Sequence, residues 1–275
     1  MNEPIMRLYP PPQHTRSLLG TYLADDLRQS AAADGQTYVY ANFVTSLDGR
    51  IAVADARGGL IVPSETANAR DWRLFQELAV QADLIISSGR YLRDYAAGKA
   101  QEILRVYDDP QFADLRDWRR AHDLTAQPAL AIISNSLDFP IPPALTAGDR
   151  QVVVCTTDRA DAARIREIEA HGVPVVVADS DQVTGDWLVR AMADLGYHVI
   201  YSAAGPRVLH LLLVASVVDR LYLTLTPRLL AGAPFASILE GPRLDPAVGL
   251  RLHSAYLDPH GVAGLGQLFL AYDRA

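Results

Sequence analysis

The chain has 275 residues, 49% apolar and 21% charged, with a formal net charge of −7. That balance belongs to a folded globule of one large or two small domains and excludes a disordered or fibrous chain. With no basic run longer than a pair, it also argues against nucleic acid as the main partner, because phosphate contacts need clustered Lys and Arg.

The opening stretch, MNEPIMRLYPPPQHTRS, holds no apolar run of signal-peptide length, and no later segment approaches a membrane span. A cytoplasmic location is expected. Pro10, Pro11 and Pro12 rule out a helix there, and LLGTYLADDLRQSAAA predicts one short helix. Residues 1–36 therefore read as an extension that packs on the main domain, 37–275, or on a second subunit.

At Tyr38 the pattern changes. Tyr38 to Val44 is a buried strand that runs straight into Thr45-Ser46-Leu47-Asp48-Gly49-Arg50. Two readings stay open: a hairpin turned at Asp48-Gly49, or a ligand loop at a strand end. Residues 68–82 predict a helix capped by Asn68, with Asp71 three residues on and Trp72, Phe75, Ala79 and Ala82 on one face. DLIIS (83–87) is a buried strand, and a further helix begins near Gln111. Apolar, β-branched runs at 129–134, 152–155 and 174–178 alternate with helical stretches at 159–171 and 181–195, and HVIYSA (198–203) is another strand. Such alternation indicates a mostly parallel sheet covered on both faces.

The end of the chain reads differently. In 219–226, Leu221, Leu223 and Leu225 fall on one side and Tyr222, Thr224 and Thr226 on the other, which is expected to face outward. Residues 250–257 and 265–272 are two more strands with no helix between them, so antiparallel pairing is expected.

Three strand ends have the composition of a ligand loop, each with a plainer alternative. YSAAGPRVLHLLL places Gly205 and then Pro206 at a helix start, which suits a phosphate or tight helix-on-sheet packing. DLIISSGRYLRD runs Ser87-Ser88-Gly89 into Arg90 and Arg93, an anion clamp or a solvated helix start. AIISNSLDFP ends in Ser134-Asn135-Ser136, short polar groups for a ribose or phosphate, or a turn. The seven His residues show no metal spacing, and neither GxSxG nor a P-loop occurs. His210 reads as a packing histidine. The single cysteine, Cys155, ends a β-branched run, which indicates structural burial and a reducing compartment.

In their order, NFVTSLDGRIA, LFQELAVQADLIISSGRYLRD and AAGPRVLHLLLVASVVDRLYLTLTPRLLAG resemble the reductase domain of riboflavin biosynthesis, the C-terminal half of the bifunctional deaminase-reductase, from about Tyr38 to Tyr272. No zinc-deaminase signature precedes them. The resemblance implies a dihydrofolate reductase-like α/β fold: a mixed, mostly parallel sheet with helices on both faces and antiparallel C-terminal strands. It implies an NADPH-dependent oxidoreductase acting on a pyrimidine or pteridine-like metabolite, a homodimer, and the ligand-loop reading of the first strand end. It places Asn42, Asp48 and Gly58 at the substrate, with Asp48 the near-cleft carboxylate considered for contact with it. It places Val44, Thr45, Leu60, Ser88, Gly89, Arg90, Asp94, Asn135, Ala204, Gly205, Pro206, Arg207 and Val208 at the cofactor. Its pyrophosphate would lie on the helix after Gly205 and near Arg90. Ala203 stands where the family has a substrate-facing glutamate, Arg90 where it has threonine, Ala79 where it has arginine and Leu60 where it has tryptophan. These departures thin the substrate-side polar groups and keep open a non-catalytic relative that binds a nucleotide or another metabolite. The dimer is expected to use the Tyr222-Thr224-Thr226 face with the apolar 265–272 segment, as a sheet-edge or face contact.

Overall fold

In the computed structural model, which describes residues 3–55, 59–100, 104–142 and 150–275, the proline cluster separates two short strands, β1 (Ile5–Tyr9) and β2 (His14–Arg16), and a helix α1 (Leu27–Asp34) follows. The first long strand is β3 (Tyr38–Ser46), then come β4 (Ala52–Ala54), β5 (Leu60–Ile61), helix α2 (Ala69–Gln81), β6 (Leu84–Ser88), α3 (Gly89–Ala96) and α4 (Ala113–Ala121). The apolar runs form β7 (Ala129–Ile133), β8 (Val152–Thr156) and β9 (Val175–Val177), with α5 (Ala162–Ala170) and α6 (Gly185–Asp194) beside them. Next are β10 (Val199–Ser202), α7 (Pro206–Val214), β11 (Arg220–Thr226), β12 (Phe235–Ala236), β13 (Leu250–Asp258) and β14 (Gln267–Arg274).

These strands build one eleven-stranded sheet in the order β2-β1-β13-β14-β11-β3-β10-β6-β7-β8-β9. From β11 to β9 all neighbours are parallel, and the other side is antiparallel. The mixed α/β sheet expected from the sequence is the one observed. One face carries Tyr40, Ile85, Tyr201 and Tyr222 against Leu74 and Leu78 of α2. The opposite face carries Ala41, Ile86 and Ile200 against Met192 of α6 and Leu209 and Leu212 of α7. Cys155 is fully buried among that second set, and burial pushes its thiol up to about 12, so it packs and does not react.

Two expectations are corrected. Tyr222, Thr224 and Thr226 do not face outward: all are buried, because β11 is an interior strand with β14 on one side and β3 on the other. The Thr226 hydroxyl finds its partner inside, at the Thr45 carbonyl (3.1 Å). Nor do the C-terminal strands offer a free edge, since β1 pairs along β13 and β2 along β1.

Helix α2 is also rolled differently from its apolar pattern. Ala79 and Ala82 are buried, but Trp72 and Phe75 remain half-exposed, while Arg73, Gln76, Glu77 and Gln81 are buried. The chain ahead of α1 covers this polar face. Glu77 accepts the Gly20 (2.6 Å) and Tyr22 (2.9 Å) N–H groups and the Arg73 Nε (2.9 Å). Gln81 accepts the Leu27 N–H (3.0 Å) and donates to the Tyr22 carbonyl (2.9 Å). Arg73 reaches on to Asp114 of α4 (2.9 and 2.5 Å). Glu77→Ala strands a buried guanidinium nitrogen and two amides, so it is expected to destabilise the protein by about 3–5 kcal/mol. Urea unfolding of the two proteins measures this, and a loss under about 1 kcal/mol would mean the cluster does not hold the helix.

Candidate active site

Pairing between β3 and β10 stops at Ala41 and Ser202, yet β3 runs on to Ser46 alongside β11. Beyond Ser202 the sheet is therefore split. Asn42 to Ser46 line one side of the gap, the ends of β6 and β7 the other, and Ala203-Ala204-Gly205 turn away at its base. Gaps at the carboxyl ends of parallel strands are where open α/β sheets bind ligands.

Alternation along β3 puts Asn42 and Val44 on the α2 face, both half-buried at the gap, and Thr45 on the opposite face, buried. The Asn42 side chain approaches the Tyr201 hydroxyl without closing a hydrogen bond. Tyr201 stacks on Tyr40 (centroids 5.0 Å) and meets the edge of Phe75 (5.5 Å), which in turn stacks on Trp72 (4.9 Å). The half-exposed aromatics of α2 thus wall the gap.

The opening turn is as tight as a hairpin: Gly49 takes φ +81° and the Ser46 N–H donates to the Arg50 carbonyl (3.0 Å). But β4 then leaves β3 and joins β5 and β12 in a separate small sheet, where Leu60 lies opposite Ala54. Both Asp48 oxygens are engaged there. One accepts the Ser46 hydroxyl (2.5 Å); the other accepts Arg50 (2.7 Å) and the N–H groups of Leu230 (3.2 Å) and Ala231 (2.9 Å). The Ser46 hydroxyl first, then these amides, hold its carboxyl down at about 2. Asp48 clasps the β3–β4 and β11–β12 turns together. Gly58 lies outside the described residues.

At the base, Gly205 precedes α7 with extended backbone (φ −72°, ψ 178°), and a Cβ there meets nothing within 4 Å. Its glycine is not required by backbone strain, and open space lies before it. Side chains cap α1, α2, α3, α5 and α6 (Asp26, Asn68, Ser88, Asp161 and Thr184), but none caps α4 or α7. The Ser202 hydroxyl just ahead is buried without a hydrogen-bond partner. Ala204 is buried, Pro206 and Val208 are half-buried, and Arg207 is exposed 3.5 Å from Glu240. An uncapped helix start, small residues and an unpaired hydroxyl fit a phosphate group.

Across the gap, Ser88 caps α3 by accepting the Tyr91 N–H (3.3 Å). Gly89 is there for packing: a Cβ would meet the Phe139 ring at 2.7 Å and the Ser134 Oγ at 2.9 Å. Its contact brings Ser88 beside the Ser134-Asn135 turn, where Asn135 is exposed. Arg90, exposed, and Asp94, half-exposed, stand 3.8 Å apart on α3.

The carboxyl group that sequence reasoning passed over is Asp71. It occupies the third position of α2, where an acidic residue is ordinary. Asn68 already accepts its N–H (3.1 Å) and that of Arg70 (3.0 Å). The Asp71 carboxyl turns inward over β11, beside the hydroxyl of Thr224, the residue paired with Val44. Burial pushes it up to about 6, with Thr224 opposing. Among the described residues no cation pairs with it: Arg70 goes to Asp258 (2.7 Å) and Arg73 to Glu77 and Asp114.

A carboxyl that binds its proton more tightly folded than unfolded adds stability below its unfolded pKa and loses it as pH rises through about 6. Asp71→Asn is therefore expected to stabilise the protein at pH 8 by up to about 3 kcal/mol and to change little near pH 4. Denaturant unfolding at the two pH values checks this, and equal stability of both proteins at pH 8 would contradict it.

The pattern of the RibD C-terminal domain matches residues 37–263. No curated protein matches the chain. Among solved structures, a pyrimidine reductase-like protein of Corynebacterium diphtheriae superposes with a TM-score of 0.65 at 20% identity, over 87% of this chain and 92% of that one. The RibD protein of Acinetobacter baumannii gives 0.63 at 18%, over 92% of this chain and 63% of its own length. The riboflavin biosynthesis reductase of Saccharomyces cerevisiae gives 0.58 at 13%, over 93% and 99%. At these identities the structures show a shared fold, and the domain pattern shows descent: the chain belongs to the RibD C-terminal domain family.

Proposed function

We propose that this protein is an NADPH-dependent reductase of a pyrimidine or pteridine-like metabolite, resembling 5-amino-6-(5-phosphoribosylamino)uracil reductase. The observation that carries the reading is the split in the sheet beyond Ser202 with the uncapped start of α7 at its base. When bound, the nicotinamide supplies the hydride. The chain's own residues bind, orient and exclude water. The α7 amides and dipole hold the pyrophosphate, aided by Arg207 and, across the gap, Arg90. Asn42 and Val44 form the floor on which the two reactants meet. Trp72 and Phe75 keep water from that floor, and the Asp48 clasp fixes the turn beside it. Hydride transfer then needs contact more than acid-base groups, which suits so sparsely ionised a site. The same reading takes the protein to be cytoplasmic and homodimeric, with a dimer surface other than the covered β13 edge.

The second reading is a non-catalytic relative that binds a nucleotide or another metabolite. Ala203 favours it, since this half-buried residue offers no polar group where the family places a glutamate. Turnover of a pyrimidine or pterin with NADPH consumption decides for the reductase.

Because Gly205 has ordinary dihedrals and free space, Gly205→Val is expected to fold with a stability change within about 0.5 kcal/mol and to lose NADPH binding. Calorimetric titration of both proteins checks this. Undiminished affinity in the folded variant would place the nucleotide elsewhere.

A further inference from the structure

We propose that the leucine side of β1, β13, β14 and β11 is the surface on which a second copy of this chain docks, face to face. The inference gives a surface to the homodimer of the reading above and rests on that part of it alone, not on the reductase chemistry.

The two faces of this antiparallel half-sheet are covered unequally. On one face Tyr222, Phe269, Ala271 and Tyr256 are buried in the cluster that includes α2 and the N-terminal segment. On the other, Leu225, Leu268, Leu257 and Met6 stand side by side in register across the four strands. The next row along is Leu223, Leu270, Ala255 and Tyr9, and Tyr272 with Leu252 begins a third. Cover on this side runs out at Leu223. Phe43, its partner on β3, is buried in the cluster that holds α7, and Leu223 packs against the same cluster. Beyond it, Leu225, Leu257, Leu268 and Leu270 are half-buried and join neither buried cluster. Met6 and Tyr9 are 41% and 40% exposed.

A sheet that is apolar on both faces needs a packed layer on each. Single exposed apolar side chains are ordinary, but a contiguous patch of them marks a contact surface. Four strands and three rows make a patch roughly 15–20 Å on a side. That is the apolar centre around which an interface of about 800 Å² per partner closes with a polar rim. Thr15 of β2, in register beyond Met6, begins such a rim.

The chemistry of the face selects the occupant. A foreign protein is distinguished by charge or directed hydrogen bonds, and the two complete rows offer neither. A second copy needs only its own leucines, since a sheet face packs on its like with strands nearly aligned and side chains interdigitating. Membrane lipid suits the face poorly, because a chain of net charge −7 with no basic run longer than a pair is repelled by anionic headgroups.

Light scattering and sedimentation velocity of the full chain at micromolar concentration test the proposal. The wild-type protein is expected at twice the chain mass. Leu270→Lys places a charge at the centre of the face, where in the monomer it can reach water. It is expected to raise the dimer dissociation constant by at least about thirtyfold. The milder Leu268→Gln should weaken the dimer several-fold, and circular dichroism checks that each variant is folded. Val177→Lys, on the edge strand β9 at the far end of the sheet and 43% exposed in the wild type, is the control and should remain a dimer. A dimer that both folded variants retain overturns the assignment of the face and leaves the homodimer standing. A wild-type monomer overturns both, including one that floats with phosphatidylcholine vesicles and so gives the face to lipid. NADPH titrated into the wild-type protein reads the reductase assignment separately from either result.

Discussion

The structure depends on an inequality of strand length. β10 is a four-residue strand inserted between the longer β3 and β6, and it stops while β3 continues. Parallel strands carry their outgoing turns at one edge, so the shortfall opens at the edge where β3, β6 and β7 also end. The chain leaves β10 through Ala203, Ala204 and Gly205 and enters α7 at once. That sequence of small residues sets the positive end of a helix dipole at the base of the opening. With a longer β10 the sheet would be continuous, and Asn42 and Val44 would be core residues.

The other side of the opening is governed from a distance. α2 is amphipathic, but its polar side is the better buried, because the segment from Leu18 to Leu27 and helix α4 satisfy Arg73, Glu77 and Gln81, and the backbone of Arg105 and Tyr107 satisfies Gln76. Such a buried network specifies one orientation more sharply than apolar contacts would. Held at this roll, the helix turns Asp71, Trp72 and Phe75 toward the cleft. The N-terminal segment thus shapes the site by fixing the roll of α2, and β1 covers the β13 edge in the same sweep.

Much of this was legible in the sequence. The parallel strands are apolar, β-branched runs of ordinary length, and the Asn68 cap and Pro206 mark two helix starts by mechanisms that act within a few residues. The small strands β1, β2, β4, β5 and β12 were not legible, being two to five residues long and held by partners far along the chain. The roll of α2 was misread for the same reason, since Glu77 is bonded to residues 55 and 57 positions away. At the site, the strand ends were found from their small and polar residues. Asp71 was missed because a carboxylate in a first helical turn looks ordinary until the fold shows that it faces inward. Asp48 stood out in its motif, and the structure shows both its oxygens holding turns together.

The central claim is that the opening beyond Ser202 receives a dinucleotide whose phosphates sit on α7. A crystal structure of the protein with NADPH tests it most directly. The account predicts pyrophosphate oxygens within hydrogen-bond distance of the amides around Gly205 and Arg207, and the nicotinamide ring over Val44. A nucleotide bound anywhere else, with the start of α7 facing solvent alone, would contradict it.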